Sequence, residues 1–560
     1  MPNESPLGYH LALMTFPRLS FALLILLPAS PASAQQSAAS IQTSTDFLES
    51  RNATVREIRY DIQDVFDLSN PQESQRLHRI ANRIHIRSKQ STLESIMLAQ
   101  TGQAFDARLN EESARALRAR GFISDANITP TDYDPASNSV ALRVYSQDSW
   151  SLSPDLKFSR SGGQNEYGIG LAEENLFGYG KELTLSRTRD VDRDESFFEY
   201  ADANVRGTRT RFNVILADAS DGHRGELSVG RPFYALDSRW AIETSFNDTE
   251  RIDPMYGLGE IIDRFRHEIR SFSAWGGWSR GLRNNRTRRW LTGVTSREDR
   301  FSETPEYADP VSLLPADRKL VYPWIGFQIA EDDFREMREL NDMGRTEDVA
   351  LGLNLAMNFG YASKNWGSDR DAAILTASAH KGWEPGGTGR LLLFDLTAQT
   401  RIESGRSRNS ILTSTFRYFR RNFGRHLFSV SLSTTFANAL DRENQILLGG
   451  DNDLRGYPLR YQSGQRRAVL TLEQRYFTDW YLWRLVRVGY AVFADIGEVW
   501  GDDARGTPNR GTLYNFGVGL RFTSPRASSQ SVVHLDLAFP INSPADVDSL
   551  QLTIEKKRSF

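Results

Sequence analysis

The chain has 560 residues, no cysteine, and a formal net charge of −3 from 68 basic and 71 acidic residues. This length exceeds that of one ordinary globular domain and predicts at least two structural units. The near-neutral charge excludes a dedicated nucleic-acid binder, which needs a basic excess. The lack of cysteine excludes disulfides, thiolate metal ligands and cysteine nucleophiles.

Residues 14–36 are typical of a secretory signal, and we assign residues 1–34 as the signal peptide. Residues 1–13 lack signal character, which makes Met14 an alternative start. Arg18 precedes an unbroken apolar run at 21–27, and the Ala-Ser-Ala sequence at 32–34 is a cleavage site. A membrane anchor is the alternative, but the apolar run falls short of the ~20 residues that a spanning helix needs. The following residues, 35–52, are rich in Ser, Gln, Ala and Thr and are predicted to form a linker.

Residues 53–147 show the pattern of a small α+β domain. Ile58, Tyr60 and Ile62 alternate as in a strand, and a helical pattern runs from 71 to 86. Further helical segments follow residue 91 and a capping residue, Asp106, before a closing strand at 140–144.

From residue 148 to the end at 560, dyad alternation replaces the helical pattern. Apolar and polar residues alternate at 392–399, 428–436 and 514–522, and aromatic residues lie at the ends of the apolar faces. A soluble sandwich also alternates, but the signal peptide and the many strands of similar length favour a membrane barrel. We predict an all-β fold, a transmembrane antiparallel β-barrel, in which the alternating segments number roughly 16 to 18.

The chain ends in an aromatic residue, Phe560. Leu550, Leu552 and Ile554 precede it at even spacing, so Phe560 falls on the same, lipid-facing side of the last predicted strand. This arrangement resembles the C-terminal signal by which assembly machinery recognises a barrel precursor.

Two short sequences near the end of the chain carry a family resemblance. A loop of about thirty residues, long enough to suggest a function, lies between strands that end near 437 and begin near 468. It contains Leu454, Arg455, Gly456 and Tyr457, and a later strand contains the sequence Phe493-Ala494-Asp495-Ile496-Gly497. In this order they resemble the two signatures of the BamA/TamA superfamily of outer-membrane proteins. The amino-acid sequences at 65–67 and 112–118 resemble the POTRA domain of that family.

Alternation also indicates where these residues point. It places Glu473 and Asp495 in the barrel lumen on neighbouring strands. Arg455 offers a planar fork of donors that suits carboxylates, and Gly456 and Gly497 allow close approach. We therefore expect the loop to fold inward, with Arg455 paired to Asp495 and close to Glu473. The alternative is a solvated loop arginine and acidic residues that line a wet pore.

The sequence shows no enzymatic constellation. It lacks H-E-x-x-H and a phosphate loop, and its eight histidines suggest no metal pair. Asp190, Asp192 and Asp194 alternate, but the glycine and glutamate of an EF-hand are missing, so they are interpreted as a solvated loop. We expect no catalytic residue, no metal and no cofactor.

The resemblance implies a barrel of about 16 strands. It also implies an outer-membrane factor that inserts polypeptides into the membrane or moves them across it. Residues 53–147 would be a periplasmic POTRA-like domain that receives unfolded or exported polypeptides, with accessory periplasmic proteins and the lipid bilayer as further partners. Two alternatives stay open. A two-partner-secretion transporter for one dedicated protein typically has two POTRA domains and a plug helix. A passive porin or adhesin predicts neither an inward loop nor a periplasmic domain.

Overall fold

This computed structural model describes residues 44–304, 314–387, 389–422, 424–501, 506–529, 531–541 and 543–558. The predicted signal peptide, Phe560 and half of the predicted linker lie outside these residues. Within the described ranges no helix has both the length and the apolar character needed to cross a membrane.

Residues 44–148 form a small α+β domain. Its helices are α1 (Thr45–Ser50), α2 (Arg76–Ile84), α3 (Gln90–Ile96) and α4 (Ala107–Arg118), and its strands are β1 (Thr54–Gln63), β2 (Ile123–Asp134) and β3 (Ser139–Asp148). In the sheet β3 lies between β1, to which it is parallel, and β2, to which it is antiparallel. Helix α1 falls within the stretch predicted as a linker, and its Leu48 is buried in the core of the domain.

The core of this domain follows from the periodicity of its sequence. Leu93 and Ile96 of α3 and Leu117 of α4 pack against the inward-facing residues of the sheet, such as Leu142 and Val144. Helix α4 begins at its predicted cap, where the Asp106 carboxylate accepts a 3.0 Å hydrogen bond from the backbone N–H of Leu109. These contacts place α3 and α4 on one face of the sheet.

A closed antiparallel barrel of 20 strands follows the domain. After the domain the strands are, in chain order, β4 (Leu152–Ser161), β5 (Gln164–Glu173), β6 (Lys181–Arg189), β7 (Asp194–Asp202), β8 (Arg211–Ala219), β9 (Gly222–Arg231), β10 (Trp240–Gly257), β11 (Glu260–Arg283), β12 (Arg286–Glu303), β13 (Arg318–Glu331), β14 (Phe334–Arg338), β15 (Thr346–Ala350), β16 (Asn354–Ala362), β17 (Ala372–Trp383), β18 (Arg390–Glu403), β19 (Arg406–Arg421), β20 (His426–Asn438), β21 (Ile446–Leu448), β22 (Gln462–Gly464), β23 (Arg466–Leu482), β24 (Val486–Trp500), β25 (Leu513–Thr523), β26 (Ser531–Ile541) and β27 (Gln551–Arg558). Two pairs, β14 with β15 and β21 with β22, are separate hairpins, and the other strands form the barrel.

The predicted number of about 16 strands is wrong. Six of the 20 strands, β4 to β9, lie between residues 152 and 231, and each has only nine or ten residues. Their alternation is weak, because polar side chains occur on both faces and because two aromatic residues, Phe197 and Phe198, are adjacent in β7. The barrel has the even strand number that is usual for single-chain bacterial barrels.

The first and last strands close the barrel at a narrow seam. Among the described residues, the registered pair between β4 and β27 is Arg160 with Ile554. By contrast, β26 and β27 are in register continuously from Ser531 with Arg558 to Ala538 with Gln551. The backbone ladder is therefore thinnest at the junction of the two ends of the sheet.

The N-terminal domain lies across the end of the barrel at which β4 begins, which we call the domain end; the opposite end is the loop end. Helix α3 contacts the turn after β5, where the Thr92 hydroxyl donates to the Gly178 carbonyl at 2.8 Å. Helix α4 contacts the turn after β13 through Arg115 and Asp332, at 3.0 Å. The turns after β7, β9, β23 and β25 contribute further contacts.

Residues 332–353, which include β14 and β15, form a hairpin that we call the floor hairpin. Its apolar side chains pack on the inner wall of the barrel near the domain end, and the cluster comprises Leu340, Met343, Leu351, Leu391, Leu393, Phe419, Leu427, Phe477 and Val532. Its polar side faces the N-terminal domain: Arg118 Nε lies 2.7 Å from Asp348 Oδ2, and Arg345 Nη2 donates to the Ile123 carbonyl at 2.8 Å. The hairpin thus joins the domain to the barrel wall.

Candidate functional site in the barrel lumen

Residues 439–465, between β20 and β23, enter the barrel from the loop end; we call them the lumen loop. Leu454 and Tyr457 are almost completely buried and belong to an apolar cluster that comprises Leu448, Leu454, Tyr457, Tyr461, Val469, Val499, Leu513 and Val547. The Tyr457 hydroxyl donates to the Tyr514 carbonyl at 3.1 Å. These contacts hold the residue between them, Arg455, inside the lumen.

The Arg455 guanidinium meets three carboxylates. Its Nε and Nη2 donate to the two oxygens of Asp495, both at 2.9 Å. Its Nη1 donates to Glu473 at 3.1 Å and to Asp536 at 3.0 Å. The guanidinium carbon also lies 3.3 Å from the ring centroid of Phe493, which is a cation–π geometry.

Two more arginines and an amide complete this ionic cluster. Glu473 accepts from Arg475 Nε at 2.6 Å and from Arg521 Nη2 at 3.1 Å, and Arg521 also pairs with Asp536. The Asn515 amide donates to Asp495 at 2.8 Å. The cluster therefore balances three guanidinium groups with three carboxylates, which lowers the cost of burying each charge.

Strand order explains why these side chains meet. Glu473, Asp495, Asn515 and Asp536 lie on four consecutive antiparallel strands, β23 to β26, and Asp495 is directly opposite Asn515 in the register. Inward-facing residues on neighbouring strands are within reach of one another. The lumen loop then brings Arg455 to the point where they converge.

Two glycines allow this close approach. A Cβ at Gly456 would lie 2.6 Å from the Cβ of Asn515, so a larger residue would push the lumen loop away from β25. A Cβ at Gly497 would lie 3.0 Å from Leu448 Cδ1 and 3.2 Å from Leu454 Cδ1. The two glycines of the sequence motifs therefore lie at the contact between loop and wall.

Three further residues belong to the site although neither sequence motif contains them: Asn515, Arg521 and Asp536. A signal for them was present, because all three alternate with apolar residues and so face the lumen. Their strands follow β24 directly in the barrel, and this adjacency brings them to Arg455.

Contacts outside the ionic cluster also hold the lumen loop in place. Arg460 donates to Asp192 at 2.8 Å, and the Tyr256 hydroxyl donates to the same carboxylate at 2.6 Å. The interpretation of Asp192 as part of a solvated loop is therefore wrong. At the start of the lumen loop, Asp441 accepts from Arg318 at 3.0 Å and from Arg401 at 2.9 Å.

The described part of the chain contains no group of three or more His, Cys, Asp or Glu residues that could hold a metal ion. The acidic side chains of the ionic cluster are occupied by guanidinium groups. Fold and site together define a closed β-barrel whose lumen is occupied by one of its own loops.

The C-terminal part of the chain matches a known protein family. Residues 424–556 match the Omp85 superfamily domain, and this range includes the lumen loop and every residue of the ionic cluster. The chain thus carries an Omp85 domain, and the predicted resemblance to the BamA/TamA superfamily of outer-membrane proteins is confirmed. No curated protein matches the chain.

Three solved structures are similar to this chain over most of its length. BamA from Haemophilus ducreyi lacking POTRA domains 1–3 is 13% identical, with 90% of this chain and 84% of that chain covered and a TM-score of 0.38. CdiB from Acinetobacter baumannii is 12% identical, with 90% and 74% covered and a TM-score of 0.45. CdiB from Escherichia coli is 12% identical, with 94% and 92% covered and a TM-score of 0.39.

Proposed function

We propose that this protein inserts polypeptides into the outer membrane or moves them across it, with the N-terminal domain in the periplasm as a POTRA-like receptor and without enzymatic chemistry. The observation that carries the proposal is the narrow seam between β4 and β27. A barrel strand ladder resists opening through its backbone hydrogen bonds, so the seam is the least costly place for a substrate strand to enter.

The contents of the lumen favour this function over a passive porin. From the loop end the lumen loop is held by the ionic cluster, and from the domain end the floor hairpin packs on the inner wall. A porin needs an open aqueous path, and here both ends carry ordered protein. A route through the wall is compatible with both obstructions.

The N-terminal domain offers a place for an extended polypeptide. Strand β2 is at the edge of the sheet. On the side away from β3, its residues after Ile128 pair with no other strand among the described residues. An extended segment can add to such an edge through backbone hydrogen bonds. The domain end of the barrel, where the domain lies, would then receive a substrate already in strand conformation.

Cross-linking of the seam tests the proposal. The chain has no native cysteine, so the Arg160→Cys, Ile554→Cys double variant can form one defined disulfide between the registered residues. We expect oxidation to stop the assembly or export of outer-membrane and secreted proteins, and reduction to restore it. The matched control is Leu537→Cys with Leu552→Cys across the continuous β26–β27 ladder, which should function when oxidised.

The result that contradicts the proposal is equal activity of the oxidised and reduced seam variants. The same assay separates the two forms of the function. Loss of folded outer-membrane barrels indicates insertion, whereas loss of one secreted protein with an intact outer-membrane proteome indicates two-partner secretion.

A further inference from the structure

Helix α2 has the reverse of the usual arrangement of polar and apolar faces. Its buried side is polar: His78 is fully buried and the His85 imidazole, at the C-cap, is 2.9 Å from Asp148. Its exposed side is apolar, because Leu77, Ile80 and Ile84 have exposed fractions of 50, 46 and 62%. A helix in a soluble domain normally buries its apolar stripe. The exposed apolar face of α2 therefore indicates a partner that covers it.

Arginines border the apolar face. At about 100° per residue, Leu77, Ile80 and Ile84 share one side of the helix. Arg76, Arg79 and Arg83, all exposed, occupy the next sector, on the side away from the buried residues. Exposed apolar residues beside a row of arginines form the pattern of a helix that lies in the interface of a membrane.

The position of α2 relative to the barrel supports the same partner. His78 Nε2 donates to the Trp483 carbonyl at 3.0 Å, so the helix lies against the β23–β24 turn at the domain end. Trp480 and Trp483 beside it are 66 and 69% exposed. Tryptophan is enriched where a membrane protein passes from hydrocarbon to water, and these two therefore mark the level of the membrane surface.

We propose that the apolar face of α2 inserts into the phospholipid leaflet on the domain side of the barrel, with its arginines on anionic headgroups. The apolar surface of α2 then continues the lipid-facing belt of the barrel past the β23–β24 turn. The N-terminal domain is anchored to lipid as well as to the barrel turns.

Depth-dependent quenching tests the insertion in the full-length protein. Because the chain lacks cysteine, Ile80→Cys can carry a single environment-sensitive fluorophore in nanodiscs that contain nitroxide-labelled, anionic phospholipid. The matched control is Ala136→Cys, exposed in the β2–β3 turn at the end of β3 remote from the barrel. We expect nitroxides on the acyl chains to quench the Ile80 probe several-fold more than the Ala136 probe.

A second variant tests the role of the arginines. In the Ile80→Cys background, replacement of Arg76, Arg79 and Arg83 by Gln should reduce the quenching in anionic nanodiscs and abolish its dependence on salt. All these positions are exposed, and His78 and His85 keep their contacts, so heat-modifiable migration should show that each variant still forms a barrel.

Three outcomes overturn the proposal. The first is an Ile80 probe as exposed to water as the Ala136 probe. The second is an Ile80 probe shielded in native outer-membrane vesicles but exposed in nanodiscs of the purified protein, which assigns the face to a protein partner. The third is shielding that rises with protein concentration in detergent, which assigns it to a second copy of the chain.

Discussion

Replacement of Arg455 by alanine is the sharpest test of the ionic cluster. The substitution removes one cation that contacts three carboxylates, and its consequences differ for each of them. Glu473 keeps Arg475 and Arg521, and Asp536 keeps Arg521. Asp495 loses both guanidinium bonds and, of the partners described here, keeps the Asn515 amide.

The expected magnitude follows from this asymmetry. Removal of one partner from a buried ion pair costs about 3–5 kcal/mol, because the other charge stays buried without compensation, and Asp495 is fully buried. A second substitution, Asp495→Asn, should therefore restore part of the stability that the Arg455→Ala variant has lost. The expected coupling energy between the two substitutions is about 0.5–3 kcal/mol. Glu473→Gln should restore no stability, because Arg475 then loses its carboxylate partner and Arg521 keeps only Asp536 of its two.

The measurement is the free energy of unfolding of the reconstituted barrel in urea, for the wild type, the single variants and both double variants. Hydrogen exchange of residues 439–465 reports in parallel whether the lumen loop leaves the wall. The matched control is Arg460→Ala in the same loop, which is more exposed and should cost less. Additive effects of Arg455→Ala and Asp495→Asn, within about 0.5 kcal/mol, would refute the pairing as an energetic unit.

Three further predictions concern the domain end and the C terminus. Arg118→Ala should lower the stability of the floor hairpin by up to about 3–5 kcal/mol, because its partner Asp348 is mostly buried, and hydrogen exchange there should become faster. The control is Arg59→Ala, whose ion pairs are exposed and which should change the exchange little. Burial raises the pKa of Glu347 in this hairpin to about 7 from 4.5. The folded hairpin therefore binds the proton more tightly than the unfolded chain, and its stability should fall as the pH rises from about 4.5 to about 7; a Glu347→Gln variant whose exchange keeps the same pH dependence would exclude this cause. Deletion of Phe560 should sharply reduce the heat-modifiable barrel, and normal migration would count against a C-terminal assembly signal.

Much of the architecture could be predicted because its signals are local in the sequence. Alternation along a single strand shows which side chains face the lumen, and it placed Glu473 and Asp495 there without knowledge of the fold. The capping residue Asp106 and the periodicity around it likewise located α4. A closed antiparallel barrel follows from such strands, since lipid leaves no partner for an open sheet edge.

The remaining features depend on distances between segments that are far apart in the chain. The strand number was wrong because β4 to β9 are short and polar on both faces, so their alternation is hard to count. Asp536 reaches Arg455 only through strand order and register, across 81 positions of sequence. Periodicity shows that α2 has an apolar face, but the direction of that face is decided by what packs on its other side. His78 and its contact with the β23–β24 turn hold the polar side inward, and the apolar side is left exposed next to Trp480 and Trp483.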